Sequence, residues 1–174
     1  MVRQFYLLKF EKIFLMTMSD SNIKPKSSPS GESEGASVKW GIIGVGNVTE
    51  MKSGPAFYKT EYSELVAVMR RDAEKAADYA KRHNVPKWYS NGSDLINDPD
   101  VDAVYVATPP DTHASYAIEV MRAGKPVYVE KPMARNYAEC LEILKVSEET
   151  GMPVFVAYYR RSLPAFIKVN EIVR

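Results

Sequence analysis

From Val38 onward, short apolar runs alternate with helical patterns, and that alternation limits the fold more than any other feature of the chain. The runs are Val38 to Ile43, Leu65 to Met69, Lys87 to Tyr89, Ala103 to Ala107, Val127 to Val129 and Val154 to Ala157. They are nearly continuous in apolar residues, as strands covered by helices on both faces are. Between them, Asp72 to His83 begins with a capping residue and is rich in helix formers, and Asp111 to Ala123 also opens on an Asp. Asn136 to Thr150 spaces Tyr137, Cys140, Leu141 and Leu144 as one packing stripe before Gly151 ends it. The pattern predicts an α/β fold, a doubly wound parallel sheet of the Rossmann kind, over residues 38–160.

The first 37 residues do not share it. Met1 to Met18 mixes apolar and basic side chains, and Ser19 to Ser37 is rich in Ser, Gly, Pro and Lys, so residues 1–37 read as a flexible, disordered leader. A targeting peptide fits poorly, because Glu11 interrupts the apolar run, Lys9 and Lys12 flank it, and no small-residue cleavage site follows. An upstream start codon, with Met16 or Met18 as the initiator, is the plainer reading. The 23 Lys and Arg nearly balance the 22 Asp and Glu, which builds in no global attraction to nucleic acid or an anionic membrane. The single cysteine, Cys140, makes no internal disulfide or thiolate metal site alone and fits a cytoplasmic setting. No run of 18 apolar residues predicts a spanning helix, and no pattern predicts a metal.

The first strand runs into Gly44-Val45-Gly46-Asn47-Val48-Thr49. Such a turn aims backbone N–H groups at a pyrophosphate, because glycine permits the turn and presents no Cβ to the ligand. Thr49 stands where the fingerprint has Gly or Ala, so the fit there is expected to be looser. The ribose-binding position follows the second strand, where the sequence reads Met69-Arg70-Arg71. A carboxylate there would accept from a free 2′-hydroxyl, whereas planar arginine donors suit a 2′-phosphate. Arg70 and Arg71 therefore point to NADP, with NAD as the alternative.

GIIGVGNV, followed by VYVATPPDTHASYAIEVMRAGKPVYVEKPMA, resembles the amino-terminal domain of the Gfo/Idh/MocA oxidoreductases. The resemblance runs from Val38 to the end, and its most specific part joins Glu130-Lys131-Pro132 to Thr108-Pro109-Pro110 and His113. It implies hydride transfer between nicotinamide and a sugar-like or cyclitol alcohol or ketone. It assigns Lys131 to the chemistry and Glu130 to the cofactor, lets Pro132 fix the turn, and puts Thr108 and Pro109 at its edge. Arg161 helps hold the cofactor or shape the pocket, and Tyr159 is a lesser candidate. For His113 two readings stay open, a wall of the cofactor pocket or a helix histidine bonded to nearby backbone.

The resemblance also implies a second, substrate-binding domain after residues 161–174, which would begin the linker helix. The chain is then expected to be a poorly active fragment, with a small sugar-like substrate and an open question of homo-oligomerisation in the full-length parent. A dinucleotide-binding regulatory module without catalysis, or a glycosidase using tightly bound NAD, are the competing readings.

Overall fold

The computed structural model describes residues 37–173. Six parallel strands form one sheet: β1 (Val38–Ile43), β2 (Ser63–Met69), β3 (Lys87–Tyr89), β4 (Ala103–Val106), β5 (Val127–Val129) and β6 (Val154–Val156). Their spatial order is β3-β2-β1-β4-β5-β6, the doubly wound order in which direction reverses beside β1. The carboxyl ends of β1 and β4 therefore flank the crevice where ligands bind in open parallel sheets. The leader expected over residues 1–37 lies, apart from Ser37, outside the described residues.

The helices are α1 (Asn47–Met51), α2 (Ala56–Lys59), α3 (Ala73–Arg82), α4 (Gly92–Ile96), α5 (His113–Arg122), α6 (Tyr137–Thr150) and α7 (Pro164–Val173). Side chains alternate across the strands and build two cores. On one face Ile43, Met69, Val104, Val106, Val127 and Val129 pack under α4, α5 and α6. On the other, Trp40, Ile42, Val68 and Tyr105 meet Phe57 of α2 and Tyr79 and Ala80 of α3. Beyond those helices, Tyr105, Tyr128 and Phe155 line a cavity over β4 to β6.

Two helix expectations need correction. Asp111 caps nothing: Pro110–Thr112 forms a 3₁₀ turn, and α5 starts at His113 with no side-chain cap. Proline fixes φ at the head of this turn, so the chain tightens before it enters the α-helix. In α6, Cys140 of the expected stripe packs partly against the core, but Tyr137, Leu141 and Leu144 face solvent, at 77%, 47% and 46% exposure. Ile143 and Val146 are buried instead, because the helix lays that narrower face against α5 and the β6 side of the sheet. The caps did follow the sequence: Asp72 accepts from Lys75 N–H, Asn136 accepts from Glu139 N–H, and Gly151 ends α6 at φ +70°. Among the described residues no helix is long and apolar enough to cross a membrane, and no cluster of His, Cys, Asp and Glu is placed to hold a metal.

Candidate active site

The turn after β1 is fixed by its neighbours. The N–H groups of Gly44 and Val45 both donate to the Met69 carbonyl, at 2.9 and 3.1 Å, which ties the turn to the end of β2. Gly44 has φ +94°, and a Cβ there would lie 2.7 Å from the Thr108 methyl and 2.8 Å from the Thr108 nitrogen. Only glycine suits both the dihedral and the space. Gly46 differs, since its backbone is extended and a Cβ would meet nothing nearer than the Arg70 guanidinium at 3.9 Å. The clearance at Gly46 thus serves no internal packing and faces outward, as a cradle for a pyrophosphate requires. Asn47 and Val48 follow in the exposed first turn of α1, where N–H groups lack intrahelical acceptors.

Thr49 does not loosen this turn. It is fully buried, its hydroxyl accepts from Gly46 N–H at 2.8 Å and donates to the Gly46 carbonyl at 2.9 Å, and the Tyr79 hydroxyl donates to its own carbonyl at 3.2 Å. A hydroxyl stitch here replaces the close packing that a third glycine allows.

At the end of β2 the two arginines part. Arg70 is half-buried, and its guanidinium folds over the turn to donate to the Val45 carbonyl at 3.2 Å. Arg71 is exposed and makes no hydrogen bond or ion pair among the described residues. Of the pair, Arg70 is the one held against the glycine turn.

After β4, the Thr112 hydroxyl donates to the Thr108 hydroxyl at 2.8 Å, while exposed Pro109 offers its carbonyl to Thr112 N–H. After β5 comes Glu130, whose Oε1 accepts from the Tyr105 hydroxyl at 2.7 Å and whose Oε2 accepts from Lys131 N–H at 3.0 Å. The Tyr105 hydroxyl also lies 3.1 Å from the Ser53 hydroxyl. Burial pushes the Tyr105 phenol well above its ordinary pKa and the neighbouring Glu130 adds to this, so it remains a donor. Lys131 is exposed at the mouth, and its peptide bond to Pro132 is cis. His113 is no cavity wall: it is 1% exposed, with both ring nitrogens against backbone carbonyls, the second of its two expected readings.

The cavity, of about 890 Å³, has an aromatic floor and a cationic rim. Lys52, Lys131, Arg160 and Arg161 border it, against the single carboxylate of Glu130. The Arg160 guanidinium beside the Tyr159 hydroxyl, with Lys52 and Lys131 in support, holds that phenol below its ordinary pKa. The cavity therefore collects Val48, Glu130, Lys131, Arg161 and the lesser candidate Tyr159 from the expected set, while Gly44, Gly46, Arg70 and Thr108 form the adjoining crevice. Lys52, Ser53, Tyr105 and Tyr128 were not foreseen. Tyr105 could have been placed on this face by its alternation with Val104 and Val106, but nothing local aims its hydroxyl at Glu130.

A family described as an oxidoreductase family with an NAD-binding Rossmann fold matches residues 38–158. The chain belongs to the Gfo/Idh/MocA oxidoreductase family. An oxidoreductase of Formosa agariphila is 49% identical over 136 residues, covering 78% of this chain and 42% of that protein. Inositol 2-dehydrogenase of Acidothermus cellulolyticus is 35% identical over 139 residues, covering 79% of this chain and 41% of its own length. Among solved structures, a 3-ketoreductase from Actinomadura kijaniata in complex with TDP-benzene and NADP superposes with a TM-score of 0.74 at 25% identity, over 79% of this chain and 42% of that one. The chain spans about two-fifths of the length of these relatives. Membership in the Gfo/Idh/MocA family makes residues 38–158 an NAD(P)-binding Rossmann domain. The cradle at Gly46, open outward beside Arg70, fits that group.

Proposed function

We propose that the chain is the dinucleotide-binding half of an NADP-preferring dehydrogenase that acts on a sugar-like or cyclitol hydroxyl, with Lys131 as its catalytic residue. The observation that carries the proposal is the pair of edges that meet in the crevice. Gly44 leaves β1 against Thr108, with Gly46 beside Arg70, and Glu130 and Lys131 leave β5 at the mouth of the adjoining cavity. In this reading the turn and the first N–H groups of α1 hold the pyrophosphate, and Arg70 meets the 2′-phosphate. Bound nicotinamide supplies the hydride acceptor or donor.

Lys131 then hydrogen-bonds the reacting oxygen, stabilises negative charge that develops on it, and exchanges its proton. Glu130 accepts from Tyr105 on one carboxylate oxygen and from Lys131 N–H on the other, so it ties the backbone that carries the lysine to β4. Support for a polyol-type substrate comes from the relatives, one of which is an inositol 2-dehydrogenase. Further copies of the chain in a homo-oligomer fit the same reading.

Fluorescence titration of the chain with NADPH and NADH tests the cofactor assignment. NADPH is expected to bind about tenfold or more tightly, as one charge-assisted contact provides, and Arg70→Ala to erase the difference while Arg71→Ala leaves it. Equal or tighter binding of NADH by the unaltered chain would overturn the assignment to NADP.

A further inference from the structure

His113 opens α5, yet its ring turns inward and is 1% exposed. Its Nδ1 lies 2.8 Å from the Pro132 carbonyl and its Nε2 lies 2.7 Å from the Thr108 carbonyl. Carbonyl oxygens only accept, so the ring N–H is the donor in this pair of contacts, with a carbonyl within reach of either nitrogen. The two acceptors belong to different loops. The β4 and β5 ladder pairs Val106 with Val129, and Glu130 N–H extends it by one bond to the Val106 carbonyl. Beyond that point, among the described residues, no hydrogen bond other than those of His113 joins residues 107–112 to residues 131–134. A buried side chain that bridges two otherwise unpaired loops sets their separation, because losing it removes the only hydrogen-bond link between them.

We propose that His113 is a positioning residue for the nicotinamide end of the site, a two-carbonyl clasp that fixes the Lys131 turn relative to the Thr108 loop. The inference rests on the dinucleotide reading above. Thr108 already abuts Gly44, so the clasp refers the position of Lys131 to the glycine turn itself. The adenine end has its own supports: Arg70 is held by Val45, and the turn around Gly46 is held by Thr49. His113 therefore governs one half of the cofactor site and leaves the other alone.

Two ligands separate the halves: NADPH, which occupies both, and 2′,5′-ADP, which lacks the nicotinamide portion. Each is titrated calorimetrically into the unaltered chain, into His113→Phe, which keeps a ring but no donor, and into His113→Gln, which keeps one amide donor. The phenylalanine variant is expected to weaken NADPH about tenfold, the equivalent of the lost hydrogen bonding, with 2′,5′-ADP changed less than about twofold. The glutamine variant is expected to fall between, and it carries the comparison if the phenylalanine variant does not fold. Unchanged NADPH affinity, or an equal loss for both ligands, overturns the clasp in favour of no role or a general loosening. Failure of the unaltered chain to bind either ligand overturns the dinucleotide reading itself, and the clasp with it.

Discussion

Gly44 and Gly46 share a motif but answer to different demands, and substitution should separate them. Alanine at Gly44 would adopt a positive φ and press its methyl against Thr108 at 2.7 to 2.8 Å, including a backbone atom that has no rotamer to change. Such a residue costs roughly 1–3 kcal/mol in backbone strain alone, so Gly44→Ala is expected to lower the thermal midpoint by several degrees. Gly46 has an extended backbone and open space, so Gly46→Ala should leave the midpoint within about a degree. Its methyl would intrude where the pyrophosphate must approach, and cofactor affinity should fall about tenfold or more. Thermal melts paired with NADPH titrations check both, and a destabilised Gly46→Ala with normal affinity would contradict the division. The sequence made both glycines legible because the motif encodes them directly. It did not disclose Thr49, whose hydroxyl stitches the turn, because a threonine in place of glycine looks like a defect until its partners are known.

Elements were legible where their signals are local. The strands fell within two residues of their expected bounds because buried parallel strands read as apolar runs, and the caps Asp72, Asn136 and Gly151 declare themselves through side-chain chemistry or a left-handed dihedral. The rotation of α6 was not legible, because its sequence carries two apolar faces and only contact with α5 and the sheet chooses between them. The chosen face holds Ile143 and Val146, and the wider stripe of Tyr137, Leu141 and Leu144 remains exposed. Substitution should show the difference. Ile143→Ala removes a fully buried side chain and is expected to cost about 2–5 kcal/mol, while Leu141→Ala should stay within about 0.5 kcal/mol. Urea unfolding of both variants measures this, and a comparable loss from Leu141→Ala would mean that its face is covered in solution.

At the scale of the whole molecule, an acidic hub ties the β3 edge to the connection that enters β4, opposite in character to the cationic rim of the cavity. Asp98 is buried and receives Lys87 Nζ on both oxygens at 2.9 Å, the Tyr89 hydroxyl at 2.8 Å and Asp100 N–H at 3.0 Å. Burial alone would raise its pKa, but the Asp100 N–H, Lys87 and Tyr89 outweigh it and hold the carboxyl below its ordinary value. A carboxylate depressed in the folded state contributes stability that is present above its unfolded pKa, near 4, and is lost as pH falls through the lower folded value. Asp98→Asn keeps the size while removing the charge, and leaves Lys87 with Asp100 alone. Lys87 is about one-third exposed, so the cost at pH 7 should sit below the roughly 3–5 kcal/mol of a fully buried broken pair, at about 2 kcal/mol. Because the unaltered protein forfeits the same charge in acid, the gap between the two should narrow as pH drops from 5 toward 2. Urea midpoints at a series of pH values give the curve, and a gap that stays constant would assign the effect of Asp98 to packing rather than to its charge.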